Sequence, residues 1–127
     1  MASPPAGGGN VAVNFVPHSG PFARGIHVTL HAMLPEATHA GELGALYENF
    51  YRDAAFVRVV DGMPRLKDVV VGNYAHIGVA ADGHAIVVMC VIDNLVKGAA
   101  GGAVQWMNRL WLLPDITGLQ APAPAWT

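Results

Sequence analysis

The chain has 127 residues, with nine acidic side chains, seven Lys or Arg side chains and a formal net charge of −2. This length is enough for one domain with its own hydrophobic core, and the absence of a basic stripe argues against nucleic-acid binding. Hydrophobic residues make up 53 % and charged residues 13 %, about half the charged fraction of an ordinary soluble domain. We therefore expect part of the surface to be covered by a second subunit or by another domain.

No apolar run is long enough for a membrane span. The longest, residues 85–92, falls far short of the ~20 residues that a transmembrane helix needs. Cys90 is the single cysteine, which excludes an internal disulfide. Because the N-terminus also has no signal-peptide pattern, we predict a cytoplasmic protein.

The first ten residues, MASPPAGGGN, are predicted to be a flexible leader. Gly7, Gly9 and Ala12 fit the G-x-G-x-x-A dinucleotide pattern, but that pattern must follow a strand and open a helix. We do not expect it to bind a nucleotide here.

The remaining chain predicts a single domain over 11–119 and a loose tail over 120–127. Strands are predicted at 11–16, 26–34, 56–60, 69–71, 77–81 and 85–92, and helices at 39–54 and 95–112. Asp82-Gly83 predicts a hairpin turn, and the uninterrupted apolar residues of 85–92 predict a central strand covered on both faces. Thr38 is the expected cap of the first helix, and Asp93 or Asn94 that of the second.

Three glycines lie in the second predicted helix, at Gly98, Gly101 and Gly102. Each costs up to about 1 kcal/mol relative to alanine. The cluster predicts that something closely approaches the helix backbone. Tight packing on the sheet and contact with a cofactor or partner domain both remain open.

The loop after the first strand carries His18 and, six residues later, Arg24. A histidine in such a loop can act as a general acid or base near neutral pH, and an arginine can bind a carboxylate or phosphate. The alternative is a surface histidine and a structural arginine.

The other histidines and the cysteine predict no metal site. His27 and His31 share a strand face, but their spacing separates them by about 13 Å, too far to bind one metal ion directly. Cys90 lies in the middle of an apolar strand, where a cysteine is usually inert.

Four stretches, in order from Val11 to Leu119, point to one family. They are VNFVPHSGPFARGI (13–26), LYENFYRDAAFVRVV (46–60), GNYAHIGV (72–79) and VIDNLVKGAAGGAVQWMNRLWLLPDITGL (91–119). Together they resemble N-acetyl-gamma-glutamyl-phosphate reductase, the NADP-dependent semialdehyde dehydrogenase of arginine biosynthesis. The helix start DNLVKGAA is also similar to the wider semialdehyde dehydrogenase group.

The resemblance implies an α+β fold, a mixed and largely antiparallel sheet with two main helices packed on one face, as in the C-terminal domain of semialdehyde and glyceraldehyde-phosphate dehydrogenases. It implies that His18 is the catalytic acid or base and that Arg24 binds the anionic groups of a small-molecule substrate. Asn94, Lys97 and Gly98 would lie toward the nicotinamide of NADP. The implied reaction converts an acyl phosphate to a semialdehyde: a cysteine thiolate displaces phosphate, and hydride from NADPH reduces the thioester.

The chain lacks two motifs that the family's reaction requires. The family's catalytic cysteine motif and phosphate-binding glycine loop have no counterpart, and Ser19-Gly20 and Ala75-His76 replace more usual pairs. We expect half of an active site, no turnover by the chain alone, and a homo-oligomer or contact with a Rossmann domain. The alternatives are a non-enzymatic oligomerisation or binding module derived from the same domain, and an enzyme of another class that uses His18.

Overall fold

The structure, a computed structural model, describes residues 14–122. The strands are β1 (Ile26–His39), β2 (Val57–Val59) and β3 (Ala75–Ile92), and the helices are α1 (Ala40–Phe50) and α2 (Gly101–Leu110), with a 3-10 turn at Leu66–Asp68 and a π-helical turn at Val96–Ala100. The sheet order is β1-β3-β2, with β1 antiparallel and β2 parallel to β3. This mixed, largely antiparallel sheet with two helices confirms the predicted fold class.

The predicted hairpin at Asp82-Gly83 is wrong, because β3 runs through both residues without a break. Gly83 has the left-handed φ of +60° that a hairpin glycine can adopt, yet it pairs with Thr38 of β1. The β1–β3 register shifts between Met33 and Thr38, around Pro35, which has no N–H to donate to the ladder. We attribute the glycine's conformation to this irregularity in a long strand pair rather than to a chain reversal.

The predicted strand at 69–71 is not found, and neither is the described part of the one predicted at 11–16. Residues 69–71 form a turn after the 3-10 segment, and Val71 has a left-handed φ of 65°. Residues 14–16 carry no strand, and 11–13 lie outside the described residues, as do the predicted leader 1–10 and 123–127 of the predicted tail.

The first helix has a different cap from the one predicted, whereas Asp93, one of the two caps predicted for the second helix, accepts the N–H groups of Leu95 and Val96 through Oδ1. His39, not Thr38, caps α1: its Nδ1 accepts the N–H of Glu42 at 3.3 Å, while the Thr38 hydroxyl donates to the Glu42 carboxylate at 2.9 Å. The second helix opens with i→i+5 bonds, in which Gly98 N–H donates to the Asp93 carbonyl at 2.9 Å. The helices end at Phe50 and Leu110, earlier than predicted.

The glycines at the start of α2 are explained by close contacts with the chain's own atoms. A Cβ on Gly101 would lie 2.4 Å from Asn73 Oδ1 and 2.9 Å from the Val96 carbonyl oxygen. A Cβ on Gly102 would lie 2.9 Å from the Lys97 carbonyl oxygen. Close packing accounts for these two positions, but against Asn73 and the preceding helical turn rather than on the sheet as expected.

The core is small, and much of the sheet is uncovered. Phe56, Val69 and Val91 are the largest fully buried apolar side chains, whereas Val28 and Leu30 of β1 are each 51 % exposed. Residues 85–92 are central as predicted, but most of them are not fully buried within the described chain, so the expected cover on both faces is not found there. No helix of residues 14–122 has the length and apolar character needed to cross a bilayer.

Candidate functional site

His18 lies in the irregular loop that precedes β1 and is exposed. Its Nδ1 lies 3.1 Å from the Val16 carbonyl oxygen. Because a carbonyl oxygen only accepts, this bond requires the proton on Nδ1, which leaves Nε2 with its lone pair in the neutral ring. The tautomer is that of a base able to take a proton at Nε2.

Arg24, at the other end of the loop, is held by a buried carboxylate. Its Nη2 donates to Asp93 Oδ1 at 3.0 Å, and the Asp93 side chain is fully buried while that of Arg24 is 30 % exposed. Within the described residues Arg24 Nε is buried with no hydrogen-bond partner. The pair fixes the guanidinium while leaving part of it accessible.

Asp93 joins three segments of the chain. Oδ1 also accepts the N–H groups of Leu95 at 2.8 Å and Val96 at 2.6 Å, and Oδ2 accepts the N–H of Val71 at 2.7 Å. Burial acts to raise the pKa of Asp93, but the hydrogen bonds from these N–H groups and from Arg24 outweigh it and hold the pKa below its ordinary value. The carboxylate therefore stays charged and ties the loop to the helix start and to the 66–72 turn.

Asn94 makes the second connection between loop and helix start. Its Oδ1 accepts the N–H of Gly25 at 2.8 Å. Gly25 has a φ of +109°, a backbone conformation that favours glycine, and it lies close to the end of the Leu66 side chain. The residue expected on the nicotinamide side thus uses its side-chain oxygen to hold the loop that carries His18 and Arg24.

The residues at the start of the second helix differ in how well they would suit a bound nicotinamide. Gly98 is exposed, and the nearest atom to a Cβ there would be 3.4 Å away, so its backbone is open to a flat ligand. Lys97 instead donates from Nζ to Gln105 Oε1 at 2.7 Å and lies 5.4 Å from the Phe56 ring centroid. Burial lowers the pKa of Lys97. Gly98 therefore fits the expected cofactor side better than Lys97 does.

Cys90 and two of the remaining histidines, His27 and His31, lie on the strands of the sheet rather than in this loop. Cys90 pairs with Val28 in the sheet, and burial raises the pKa of its thiol, which disfavours the nucleophilic thiolate. His27 and His31 lie along exposed β1. Among residues 14–122 no three His, Cys, Asp or Glu side chains come together to hold a metal ion.

Sequence reasoning identified Asp93 only as a candidate helix cap. Its contacts with Arg24 and Val71 span 69 and 22 residues, so no local pattern reveals them. The available signal was an Asp-Asn pair directly after the apolar strand, since carboxylates that close a strand and open a helix often organise neighbouring loops.

Comparisons with known proteins identify the family that the chain resembles. A family profile described as semialdehyde dehydrogenase, dimerisation domain, matches residues 4–94. The chain is 44 % identical over 115 residues to N-acetyl-gamma-glutamyl-phosphate reductase of Methanosarcina acetivorans, covering 89 % of this chain and 34 % of that protein. It is 42 % identical over 118 residues to the protein of the same name from Polynucleobacter asymbioticus, covering 90 % and 34 %.

Among solved structures, aspartate semialdehyde dehydrogenase II of Vibrio cholerae superposes with a TM-score of 0.56 at 23 % identity, over 70 % of this chain and 28 % of that one. This is a similarity of fold. The chain spans about a third of the length of the curated relatives it matches.

Proposed function

The chain belongs to the semialdehyde dehydrogenase dimerisation-domain family, and from this we propose that it is the substrate-binding and dimerisation part of an NADP-dependent N-acetyl-gamma-glutamyl-phosphate reductase. The observation that carries the proposal is the 44 % identity over 89 % of the chain to a protein of that name. The reaction would convert an acyl phosphate to a semialdehyde in arginine biosynthesis, in the cytoplasm.

His18 is the proposed acid or base. The tautomer required by the Val16 hydrogen bond leaves Nε2 able to accept a proton and, once protonated, to return it. Exposure of the ring on the loop leaves Nε2 accessible to a substrate.

Arg24 is the proposed anion-binding residue. Its contact with Asp93 is one hydrogen bond from one terminal nitrogen, so other N–H groups of the guanidinium are left for a carboxylate or a phosphoryl group. A pre-positioned arginine loses less side-chain entropy when the anion binds than a mobile one would.

NADP is the proposed cofactor, and when bound it would supply or accept the hydride. Asn94 and Gly98 would face it from the helix start, with Lys97 the weaker candidate of the three. The nucleophilic thiol must come from elsewhere, since Cys90 is a half-buried strand residue. We therefore expect no turnover by the 127-residue chain alone.

A second copy of the chain is the proposed partner of the uncovered sheet. Val28 and Leu30 are half exposed on β1, next to a central strand that a monomer leaves partly open. Covering such apolar surface is the usual driving force for association. The matching family is itself described as a dimerisation domain.

Calorimetric titration with N-acetylglutamate, the substrate without its phosphoryl group, tests the proposal. We expect binding that Arg24→Met weakens and Arg52→Met leaves unchanged, because Arg52 lies in the exposed turn after α1 and loses the same charge. NADP-dependent turnover by the pure chain, followed by absorbance, would contradict the assignment of a half-site.

The second candidate is a non-enzymatic oligomerisation module derived from this domain. The extent of exposed β1 favours it, because that surface can associate without a working site. A stable dimer that binds no N-acetylglutamate would identify this function.

A further inference from the structure

A cavity of about 160 Å³ lies beside the loop that carries Arg24. Its lining residues are Phe22, Ala23, Arg24, Leu66, Lys67 and Val70. Two are cations and none is a carboxylate. The volume is below the roughly 300 Å³ at which whole small-molecule sites begin, so the cavity has room for one small group of a ligand.

The arginine side of this cavity is fixed from behind. Asp93 holds Nη2 of Arg24 at 3.0 Å, and its own charge is shared among the N–H groups of Val71, Leu95 and Val96. The guanidinium is therefore oriented by a carboxylate whose remaining hydrogen-bonding capacity is used by the backbone.

The lysine side is a 3-10 turn, Leu66–Asp68, closed by the N–H of Val69 donating to the Leu66 carbonyl at 3.0 Å. The neighbouring Asp68 carboxylate is occupied by Arg65, at 2.8 and 3.1 Å. Within the described residues the ion pairs are Arg24–Asp93, Arg65–Asp68 and Arg109–Asp115, so there Lys67 has no carboxylate within ion-pair distance.

The two sides are held at a fixed separation by shared contacts. Asp93 binds Arg24 through Oδ1 and the N–H of Val71, at the end of the lysine turn, through Oδ2. Leu66 lies so close to Gly25 that a Cβ on Gly25 would be 2.5 Å from it. The same carboxylate thus binds the Arg24 side chain on one side of the cavity and the backbone of the turn that carries Lys67 on the other.

We propose that Lys67 is a second anion-binding residue, which with Arg24 receives an oxyanion of the substrate in this cavity. The inference rests on the proposed function and adds a residue to its site. Two cations without a lining carboxylate favour a carboxylate or phosphoryl group over a neutral or cationic one. Phosphoryl and carboxylate share this chemistry, and the experiment separates them.

The test is a titration of the ¹⁵N-labelled full chain, followed by NMR, with inorganic phosphate in one arm and N-acetylglutamate in the other. We expect at least one of the two anions to shift the signals of Lys67, Val70 and the Arg24 side chain. Lys67→Met should weaken that binding by about three- to tenfold, the range of a partly exposed charge-assisted contact. Arg52→Met, with the same loss of charge, should bind as wild type does.

The titrations with phosphate and with N-acetylglutamate distinguish failure of the Lys67 role from failure of the proposed function. N-acetylglutamate that shifts His18 and Arg24 but neither Lys67 nor Val70 would overturn the role of Lys67 and leave the half-site standing. Phosphate that shifts Lys67 and Arg24, without any binding of N-acetylglutamate, would support Lys67 and count against the proposed substrate. Equal affinity of wild type and Lys67→Met, or no binding of either anion, would overturn the role of Lys67.

Discussion

Removal of the Asp93 carboxylate should be the most damaging single change in the candidate site. Asp93→Ala leaves the Arg24 guanidinium without its partner and three backbone N–H groups without an acceptor, at a side chain that is fully buried. Breaking a buried pair by removing one partner typically costs about 3–5 kcal/mol. Because the other partner is 30 % exposed to water, we expect the lower half of that range.

The assay is urea unfolding at neutral pH, with the free energy of unfolding taken from the midpoint and slope. Asp93→Asn keeps one acceptor for the helix N–H groups and should lose less stability than Asp93→Ala. Asp68→Asn, at an exposed ion pair, should change stability little. A loss of less than about 1 kcal/mol in Asp93→Ala would refute the view that this carboxylate organises the three segments.

The same carboxylate gives the stability a pH dependence of defined sign. The pKa of Asp93 in the folded chain is lowered from 3.8, so the folded state favours the charged form. Its contribution is fully present above that value and is lost as the pH falls through the lower folded pKa. The stability difference between wild type and Asp93→Ala should therefore be constant from neutral pH down to about 4 and shrink below it, and a difference that grows on acidification would contradict the assignment.

Further predictions concern the helix start, the sheet and the cysteine. Gly101→Ala should destabilise the fold by about 1–3 kcal/mol because its Cβ would meet Asn73 Oδ1. Gly98→Ala should not destabilise it, since no atom lies closer than 3.4 Å to a Cβ there, and equal melting midpoints of the two variants would refute the contact. Leu30→Glu should lower the mass measured by light scattering toward that of a monomer while Asn49→Glu on exposed α1 does not, and a wild-type chain that is already monomeric at high concentration would contradict the self-association. Cys90 should react with iodoacetamide much more slowly in the folded chain than in urea, because burial raises the pKa of its thiol; equal rates would show the thiol to be open.

Local patterns predicted the elements whose neighbours are close in sequence. The apolar spacing of Leu43, Leu46, Tyr47 and Phe50 identified α1, and alternation identified most of β1. The hairpin turn predicted at Asp82-Gly83 was wrong because a left-handed glycine occurs both in turns and in irregular strand pairs. Which of the two forms depends here on pairing with Thr38 and His39 across the sheet. The strand predicted at 69–71 was wrong because the N–H of Val71 donates to a carboxylate 22 residues away instead of to a neighbouring strand.

In the candidate site, too, some residues could be identified from the local sequence and others only from long-range contacts. His18 and Arg24 were found from their loop and from the family resemblance, and their roles remain predictions. Asp93 and Lys67 acquire their importance from contacts or a cavity that only the folded chain creates. The helix glycines predicted a close approach, but only the structure identifies Asn73 as the neighbour of Gly101.

We propose that this domain carries a formed half-site for an N-acetylglutamyl substrate. The most direct test is thermal unfolding of the chain with and without N-acetylglutamate. A ligand that binds only the folded state adds about 2.7 kcal/mol to the stability at a hundred times its dissociation constant, so we expect a cooperative transition whose midpoint rises with ligand concentration. A cooperative transition whose midpoint stays the same at every concentration of N-acetylglutamate would contradict it.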